Sequence, residues 1–561
     1  MAFNIRLDKD FFNIPASVIV HKRGDVAVAV DGYTKHKIAE NTDHASVIQK
    51  AIDHAVESGG KVVYLSRGTY ILNKPISINK DNIRVVGEAE LTNPTPSGTE
   101  WNHQGLLKID ADNVVVEGLK FNVVGRNDAS DPAAIGIYGG DNIKIRNCRF
   151  TLTNNRSFLA VIGLDGQYGS RSMTNIKIES NVFHDNSPNI RVLHIYPRDG
   201  HTVEGLWIVG NLFKNNYGIQ IHLDAYDILR DVYILGNRFI DIYGSVSANL
   251  FGAAVQGGLA RAYQIYNVII KHNIYYTTKE ERNVFAQLYQ MEHVEIEGNI
   301  AIAKTSNPVQ AIALGRGDYP IKHVVIKNNY FEGFDAFWDA DSMVDVEVEG
   351  NIGVNLGEGL VLGYDIQEYV RIRNNLFYNC AWRDTLAAQS AIFLANSNPV
   401  KSVIEGNVVV NDTDTPKTKY AITLTGHYDF HDVIVRNNRI YVPKGTLEFI
   451  HYQYGDEVPP SIIEMVEVHD STGIKRTENR GTTTITGDGS TTTFTVDVDH
   501  RLVSDKVSVK VGCKKEASYK WWLVDADADD FYEKIRIQIT FATAPANGET
   551  VEIYWSAQIV A

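Results

Sequence analysis

A short motif recurs along most of the chain and restricts its fold more than any other feature. Each copy carries two apolar residues at alternate positions and, three residues after the second, a position that is usually Asn. These positions are Glu88, Leu119, Cys148, Asn181, Asn211, Asn237, Asn273, Asn299, Asn329, Asn351, Asn375, Asn407 and Asn438. Ten of the thirteen are Asn, and successive copies lie 22 to 36 residues apart. Repeats of this length, with a strand-like alternation and no helix between them, predict a β-solenoid.

The recurring Asn has a physical explanation in such a fold. We expect it where one strand bends into the next, because Asn tolerates the left-handed backbone conformation of a sharp bend. Stacked on successive coils, the side-chain amides can hydrogen-bond to one another, while the alternate Ile and Val residues point inward. The pattern predicts an all-β, parallel β-helix of about twelve coils.

Composition changes at both ends of the repeat. Apolar residues from Val47 to Val56 recur at helical spacing, with Thr42 or Asp43 as the N-cap and Gly59-Gly60 as the stop, and this predicts a helix that covers the open end of the solenoid. A Thr-rich β pattern without the Asn repeat ends the chain and predicts a small antiparallel β-sandwich. The predicted parts are an N-terminal β segment (1–40), the β-helix with its capping helix (41–470), a linker (471–481) and the sandwich (482–561).

Charge and cysteine content narrow the functional classes. The net charge of −14 argues against a nucleic-acid partner, which needs a basic face. Cys148, Cys380 and Cys513 are too few and too scattered for a disulfide framework or a zinc site. The first residues lack the pattern of a signal peptide, and no apolar run is long enough to span a membrane. We therefore expect an extracellular or virion-associated protein without a Sec-type signal peptide.

Every coil also contains a strand whose outward side chains are polar or aromatic, and we call the surface formed by these side chains the polar wall. A wall that runs over many coils suits an extended polymer better than a small metabolite. Its densest chemistry lies between Tyr196 and Asp227 and in the strand just before it. The residues predicted to bind substrate are His194, Gln220, Asp224, Tyr226, Gln256, Gln287, Tyr289 and Trp338.

Three segments resemble known families. The sequence SVIQKAIDHAVESGGKVVYLSRGTYIL resembles the entry to the pectate-lyase-like, right-handed parallel β-helix superfamily, and the resemblance extends over roughly residues 40–465. The segment YPRDGH resembles the Tyr-Gly-x-Asp-Pro-His motif of mannuronan C5-epimerases through Tyr196, Asp199 and His201, although Pro197 and Gly200 depart from it. In that family a further acid lies on the next coil, and the equivalent here is His222, followed by Asp224. The terminal sandwich resembles small domains at the ends of viral fibres.

The second resemblance implies chemistry on a uronic acid polymer, most closely alginate. Such chemistry removes the weakly acidic C5 proton beside a carboxylate, so it needs a neutralising group, a base and an acid. Arg198 or a protonated Asp199 is predicted to neutralise the carboxylate, His201 or His222 to be the base, and Tyr196 to be the acid. Return of a proton to C5 from the opposite face gives the epimer, while transfer of a proton to the departing glycosidic oxygen cuts the chain by β-elimination. We predict no required cofactor or metal and leave Ca²⁺ open.

Simpler interpretations compete with this one. Pro-Arg-Asp-Gly is an ordinary turn, so Asp199 is also explained as a turn residue. The segment FWDADS offers the paired carboxylates of Asp339 and Asp341 for a hydrolase, with Asp335 and Trp338 near them, and the segment is also explained as acidic residues in a turn. DADADD at 525–530 is better explained as a hairpin turn than as a calcium loop. A viral tail-spike hydrolase and a non-catalytic glycan-binding spike therefore remain alternatives, with either a monomer or a homotrimer expected.

Overall fold

The computed structural model describes a large part of the chain. The described residues are 16–94, 105–124, 132–153, 160–166, 169, 171–186, 191–242, 252–257, 264–279, 283–305, 310–315, 321–340, 343–362, 367–380, 390–394, 402–412, 418, 420–425, 434–441, 448–453, 462–470, 473–475, 478–499, 507–524 and 534–559. They form two compact units, residues 1–325 with 333–335, and residues 326–332 with 336–561. The predicted β-helix with a helical cap and small C-terminal antiparallel sheets is confirmed.

Three short strands and one helix begin the first unit. Val18–Arg23 pairs antiparallel with Val26–Asp31, which pairs antiparallel with Lys37–Asn41. The helix His44–Glu57 starts at Asp43, whose carboxylate accepts a hydrogen bond from the Ser46 N–H, as the N-cap prediction required. Its apolar face is buried through Val47, Ile48, Ala51, Ile52 and Ala55. With 14 residues, this helix, the only one in the described ranges, is too short to cross a membrane.

In the first unit, each coil contributes one strand to each of three parallel sheets. The first sheet contains Val62–Leu65, Arg84–Gly87, Val115–Glu117, Lys144–Arg146, Met173–Glu179, Val203–Val209, Leu229–Leu235, Ile265–Lys271 and Met291–Glu297. The second contains Thr69–Ile71, Glu90–Thr92, Lys120–Val124, Arg149–Thr153, Val182–His184, Leu212–Lys214, Arg238–Ile240, Ile274–Thr277 and Ile300–Ala303. The third contains Ile76–Ile78, Leu107–Asp110, Pro132–Asp141, Ala160–Asp165, Arg191–Tyr196, Ile219–Leu223, Gly252–Gly257, Asn283–Leu288 and Ile312–Leu314. The chain passes from the first unit to the second at Ile321–Lys327.

The second unit is built from coils of the same three-strand type. Its strands of the first type are Met343–Glu349, Gln367–Arg373, Val403–Glu405, Ile434–Tyr441 and Ile462–Asp470. Those of the second type are Tyr330–Glu332, Ile352–Val354, Leu376–Tyr378 and Val408–Val410. Those of the third type are Ala336–Ala340, Glu358–Leu362, Ser390–Leu394, Tyr420–Thr425 and Glu448–Gln453.

The Asn ladder forms as the repeat predicted. The backbone N–H and the side-chain amide of Asn211 both donate to Oδ1 of Asn237, at 2.9 and 3.0 Å. The same amide donates to the carbonyl of Ile178 at 2.8 Å. All ten ladder Asn residues are buried, so the ladder satisfies polar groups that would otherwise be costly inside the core.

The left-handed bend, however, lies one residue earlier than predicted. Positive φ angles occur at Ser180 (57°), Gly210 (63°) and Gly236 (60°), immediately before Asn181, Asn211 and Asn237. Placing the bend on the ladder Asn itself was therefore wrong. The reason is that the ladder Asn must direct its amide into the core, and the preceding residue makes the turn that allows it.

A column of phenylalanines fills the core beside the ladder. The rings of Phe121, Phe150, Phe183, Phe213 and Phe239 stack on successive coils with centroids 4.8 to 4.9 Å apart. All five are buried, and rings stacked at this spacing add stability beyond the area that they bury. The column fixes the coils in register with one another.

Two small antiparallel sheets end the second unit. One has the order Glu478–Thr486, Thr550–Ile559, Val507–Cys513, and the other Thr493–Asp499, Lys534–Phe541, Ala517–Val524. Ile535, Ile537, Ile539 and Ile553 are fully buried in their common core. The first of these strands begins at Glu478, and Gly473–Lys475 pairs with Ile462–Asp470, so the described part of the predicted linker is β-structure.

Candidate functional site

The third sheet places polar residues from successive coils in one column of the polar wall. Leu193 and Ile195 of strand Arg191–Tyr196 point into the core, so His194 points outward. Its backbone partner on the next strand is His222. His222 pairs in turn with Gln256, and Gln256 with Gln287. The predicted register of the wall is thus present on these four coils.

Aromatic and imidazole rings pack together around His194. Its ring stacks on Tyr196 at a centroid distance of 5.1 Å and on His222 at 5.2 Å. Tyr196 meets Tyr226 edge to face at 5.5 Å. The sequence predicted groups about 5 Å apart on adjacent coils, and Tyr196 and His222 indeed belong to one continuous cluster.

Two stacked turns position Arg198 over this cluster. The carbonyl of Pro197 accepts hydrogen bonds from the N–H groups of Tyr226 and Asp227, both at 3.2 Å. The Asp227 carboxylate also accepts from the Gly200 N–H at 2.8 Å. Held in this way, the Arg198 guanidinium lies 5.5 Å from the Tyr226 ring centroid.

Arg198 also reaches the Tyr196 hydroxyl directly. Its Nη1 donates to that hydroxyl at 3.3 Å, and its guanidinium carbon lies 5.8 Å from the Tyr196 ring centroid. The Arg198 side chain remains 36% exposed, which leaves the guanidinium accessible to a ligand in solution. A cation and a phenol hydroxyl are therefore presented side by side at the surface.

Arg191 is a member of the site that the sequence did not reveal. Its Nη1 lies 3.2 Å from Nε2 of His194. Nε2 of His194 also lies 3.8 Å from the Asp224 carboxylate. Arg191 stands three residues before His194 in RVLHIY, but an Arg at a strand start carries no motif, so only the fold shows it.

Burial sets the protonation of the cluster. It lowers the pKa of His222 well below its usual value, and the nearby Arg191 guanidinium and His194 lower it further, so His222 is neutral at neutral pH. Burial raises the pKa of Tyr196, which Arg198 partly offsets, so its hydroxyl stays protonated. Burial lowers the pKa of the Arg191 guanidinium, which nevertheless keeps its charge at neutral pH.

His194, His222 and Asp224 are also the described residues with the spacing of a metal site, since one ligand atom from each lies within 4.8 Å of the others. Nδ1 of His222 has no hydrogen-bond partner among the described residues. Two features argue against a bound cation. The Arg191 guanidinium lies 3.2 Å from Nε2 of His194, and the rings of His194 and His222 are nearly parallel, so they cannot both direct a lone pair at one ion. This arrangement suits an anion better, and we assign no metal to it.

Several predicted residues occupy other environments. Gln220 is fully buried, accepting from the Asn216 amide at 2.9 Å and donating to the Gly218 carbonyl at 3.0 Å. Because both ends of its amide are engaged in the turn, its predicted contact with substrate is not available in this structure. Asp199 occupies the exposed tip of its turn with φ of 59°, as the turn interpretation expected. His201 follows on the same turn, half-buried, its N–H bonded to the Arg198 carbonyl.

Three of the remaining predicted residues, Gln256, Gln287 and Tyr289, contact one another in the first unit. The amide of Gln256 donates to Gln287, and the amide of Gln287 donates to the Tyr289 hydroxyl, so the three form a chain that is 8 to 9% exposed. Trp338 and Asp339 belong to strand Ala336–Ala340 of the second unit, but their side chains lie outside the described residues. Asp341 and the segment 525–530 also lie outside the described residues.

Known protein families match most of the β-helix. A family model described as rhamnogalacturonase A/epimerase, pectate lyase-like, matches residues 36–240. A second, described as a right handed beta helix region, matches residues 254–440. No curated protein matches the chain.

Solved structures of the same architecture come from bacteria and phages. The Azotobacter vinelandii mannuronan C-5 epimerase AlgE6 A-module is 14% identical, with 74% of this chain and 96% of that chain covered and a TM-score of 0.33. The tailspike gp49 from Pseudomonas phage LKA1 is 10% identical, with 91% and 92% covered and a TM-score of 0.44. The tailspike of E. coli bacteriophage HK620, solved with a pentasaccharide, is 13% identical, with 92% and 90% covered and a TM-score of 0.45. At this distance the likenesses say nothing about activity. The two family matches and the coiled parallel sheets together identify the fold as a pectate-lyase-like, right-handed parallel β-helix.

Proposed function

We propose that the chain modifies an acidic, alginate-like polysaccharide by removing the C5 proton of a uronic acid unit. The observation that carries the proposal is the Arg198 guanidinium, 3.3 Å from the Tyr196 hydroxyl and beside the stacked His194 and His222 rings. Together these residues supply the neutralising group, the acid and the base that the reaction needs.

The substrate carboxylate is the first group that the site must bind. Arg198 is exposed and carries a planar donor face that matches a carboxylate. Arg191 lies on the far side of His194 and offers a second guanidinium. Two cations at the carboxylate stabilise the negative charge that develops there when the C5 proton leaves. Asp199 is not needed for this role, since it is exposed and its carboxylate lies 3.7 Å from Nε of Arg198, as a partner of that guanidinium.

His194 is the base in this proposal, because it lies at the centre of the cluster while His222 is only 2% exposed. In this proposal the substrate carboxylate takes over the hydrogen bond that Arg191 makes to His194, and Nε2 of His194 accepts the C5 proton. The imidazolium formed is then stabilised by the Asp224 carboxylate, 3.8 Å from the same nitrogen. His222, neutral and stacked behind, holds the His194 ring in place.

Tyr196 completes the reaction as the acid. Its hydroxyl is protonated at neutral pH, and it can give its proton either to C5 from the opposite face or to the departing glycosidic oxygen. The first outcome is C5-epimerisation and the second is β-elimination. Both outcomes begin with the same loss of the C5 proton, and both remain within the proposal.

Incubation with polymannuronate tests it, with proton NMR and absorbance of unsaturated uronate as readouts. New guluronate signals identify an epimerase and new absorbance identifies a lyase. His194→Gln is expected to abolish either signal, while the matched change His201→Gln on the neighbouring turn keeps it. No change in any uronate polymer would remove the proposal, and activity that depends on His201 but not His194 would remove the assignment of the base.

A tail-spike hydrolase based on FWDADS remains the alternative reaction. It requires the carboxylates of Asp339 and Asp341, and no described contact favours it. New reducing ends without unsaturated product would nevertheless support it.

A further inference from the structure

The outer face of one C-terminal sheet carries an unusual set of side chains. In the sheet formed by Glu478–Thr486, Thr550–Ile559 and Val507–Cys513, the buried Ile553 and Trp555 point to the core, so Tyr554 and Ser556 point outward. Ser556 pairs with Arg480 on one side and with Lys510 on the other. The backbone register therefore puts two cations in one row, separated by two strand spacings, about 10 Å.

The next row of this face presents an aromatic ring. Tyr554 pairs with Thr482 on one side and with Gly512 on the other, and it is 37% exposed. A Cβ built on Gly512 would meet nothing within 4 Å, so the space beside the Tyr554 ring is open. An exposed ring with an open flank is suited to stacking against the apolar face of a sugar ring.

These rows line a depression with a volume of about 620 Å³, within the usual range of small-ligand sites. Arg480, Lys510 and Tyr554 are among the lining residues. At the Tyr554 hydroxyl end lie Glu552, which accepts the hydroxyl hydrogen, and Lys514. Among the described side chains, the three cations Arg480, Lys510 and Lys514 outnumber the one carboxylate, Glu552, whereas the chain as a whole carries −14. By register, Glu478 lies one row beyond Arg480 on the same face.

From this combination we infer a second saccharide site on the C-terminal sheet, selective for an oligosaccharide that bears carboxylates. Arg480 and Lys510 bind the carboxylates of two sugar units, and Tyr554, in the next row, stacks on the ring of one of these units. The site is non-catalytic and retains the polymer. The choice of a uronate as the probe rests on the proposed function, and the other parts of this inference do not.

A second copy of the chain is the less suitable occupant. Tyr554 is the only large apolar residue with high exposure among the described residues of this sheet, since Trp521 and Trp522 lie on the other one. Stable contacts between copies of a protein are more apolar at their centre than this face. Positive charge at both ends of the row also repels the same face of another copy.

The test compares two double variants by calorimetric titration of the full chain with hexamannuronate, and with neutral mannohexaose as the uncharged probe. Arg480→Ala with Tyr554→Ala removes one cation and one exposed aromatic from the proposed site. Lys520→Ala with Trp522→Ala makes the same change on the opposite sheet. We expect the first pair to lose one hexamannuronate site, or to weaken it about tenfold or more, and the second pair to match the wild type. Mannohexaose is expected to bind more weakly than hexamannuronate at this site.

Lys510→Gln provides an independent measurement, because it removes charge without shortening the side chain to a methyl group. It is expected to weaken hexamannuronate binding and to reduce its dependence on salt. Equal binding by the two double variants would overturn the inference, whether or not the β-helix binds or changes the polymer. A fall in mass by light scattering in the first pair alone, with unchanged hexamannuronate binding, would show a contact between copies and would also overturn it.

Discussion

The replacement Tyr196→Phe removes one hydroxyl from the centre of the candidate site. That hydroxyl accepts a hydrogen bond from Arg198 at 3.3 Å, and the rest of the side chain stacks on His194 at 5.1 Å and meets Tyr226 at 5.5 Å. Phenylalanine preserves both ring contacts. Because the hydroxyl is only partly buried, its loss should change the free energy of unfolding by less than about 1 kcal/mol.

The effect on turnover should be much larger. If the hydroxyl is the acid, its removal should lower kcat by about 10² to 10⁴, which corresponds to about 3 to 5 kcal/mol in activation free energy. KM should change little, since Arg191 and Arg198 still bind the carboxylate. Burial raises the pKa of Tyr196. In the wild type, the fall in kcat at alkaline pH should therefore begin at a pH above the usual pKa of tyrosine.

Steady-state kinetics on polymannuronate, followed by NMR, measures both parameters. Tyr226→Phe is the matched control, because it removes the same atom one coil further on and should keep most of the activity. Urea unfolding of both variants confirms that they are folded. A folded Tyr196→Phe variant with more than about a third of wild-type kcat would refute the role of Tyr196, since a general acid is worth far more.

Three further outcomes concern stability. Asn237→Leu should destabilise the chain by about 2 to 6 kcal/mol in urea unfolding, because it leaves the Ile208 carbonyl and the Asn211 N–H without their partner, and a change below about 1 kcal/mol would contradict the ladder. The pKa of His222 is lowered in the folded chain, so as pH falls this residue takes up a proton in the unfolded chain before it does so in the folded one, and the folded chain loses stability. Between pH 7.5 and 5.5 the free energy of unfolding should fall by about 1.4 kcal/mol more in the wild type than in His222→Gln. Equal falls would contradict the burial of His222 as a neutral ring. Gln220→Ala should reduce stability and leave KM unchanged, and a raised KM would return Gln220 to the substrate site.

Periodicity was sufficient to predict the β-helix. The Asn repeat, the apolar alternation and the capping helix are all local sequence patterns, and each of them predicts one kind of structure. The exact place of the bend was missed because Asn and Gly both favour left-handed backbone, and the sequence often has them side by side, as at Gly210-Asn211. Only the hydrogen bonds of the ladder show that Gly210 adopts the left-handed conformation and that Asn211 directs its side chain inward.

The candidate site was harder to derive. The alternation of residues along the strand predicted correctly that His194 and His222 lie side by side. It also predicted that Gln220 faces outward, although the Gln220 amide is hydrogen-bonded to Asn216 in the neighbouring turn. The stacked turns under Arg198 depend on contacts between residues about 30 positions apart, and the contact of Arg191 with His194, only three positions away, belongs to no sequence motif. Such contacts leave no local pattern, so spacing alone could not reveal them.

The fate of the C5 proton tests the central claim most directly. Polymannuronate treated with the full chain in D₂O should lose C5–H signal in every converted unit, either as deuterium at C5 of the epimer or as the unsaturated C4–C5 product. His194→Gln and Tyr196→Phe should suppress this loss, and His201→Gln should not. Conversion of the polymer with every C5–H retained would contradict the claim, because the reaction would then have proceeded without removal of that proton.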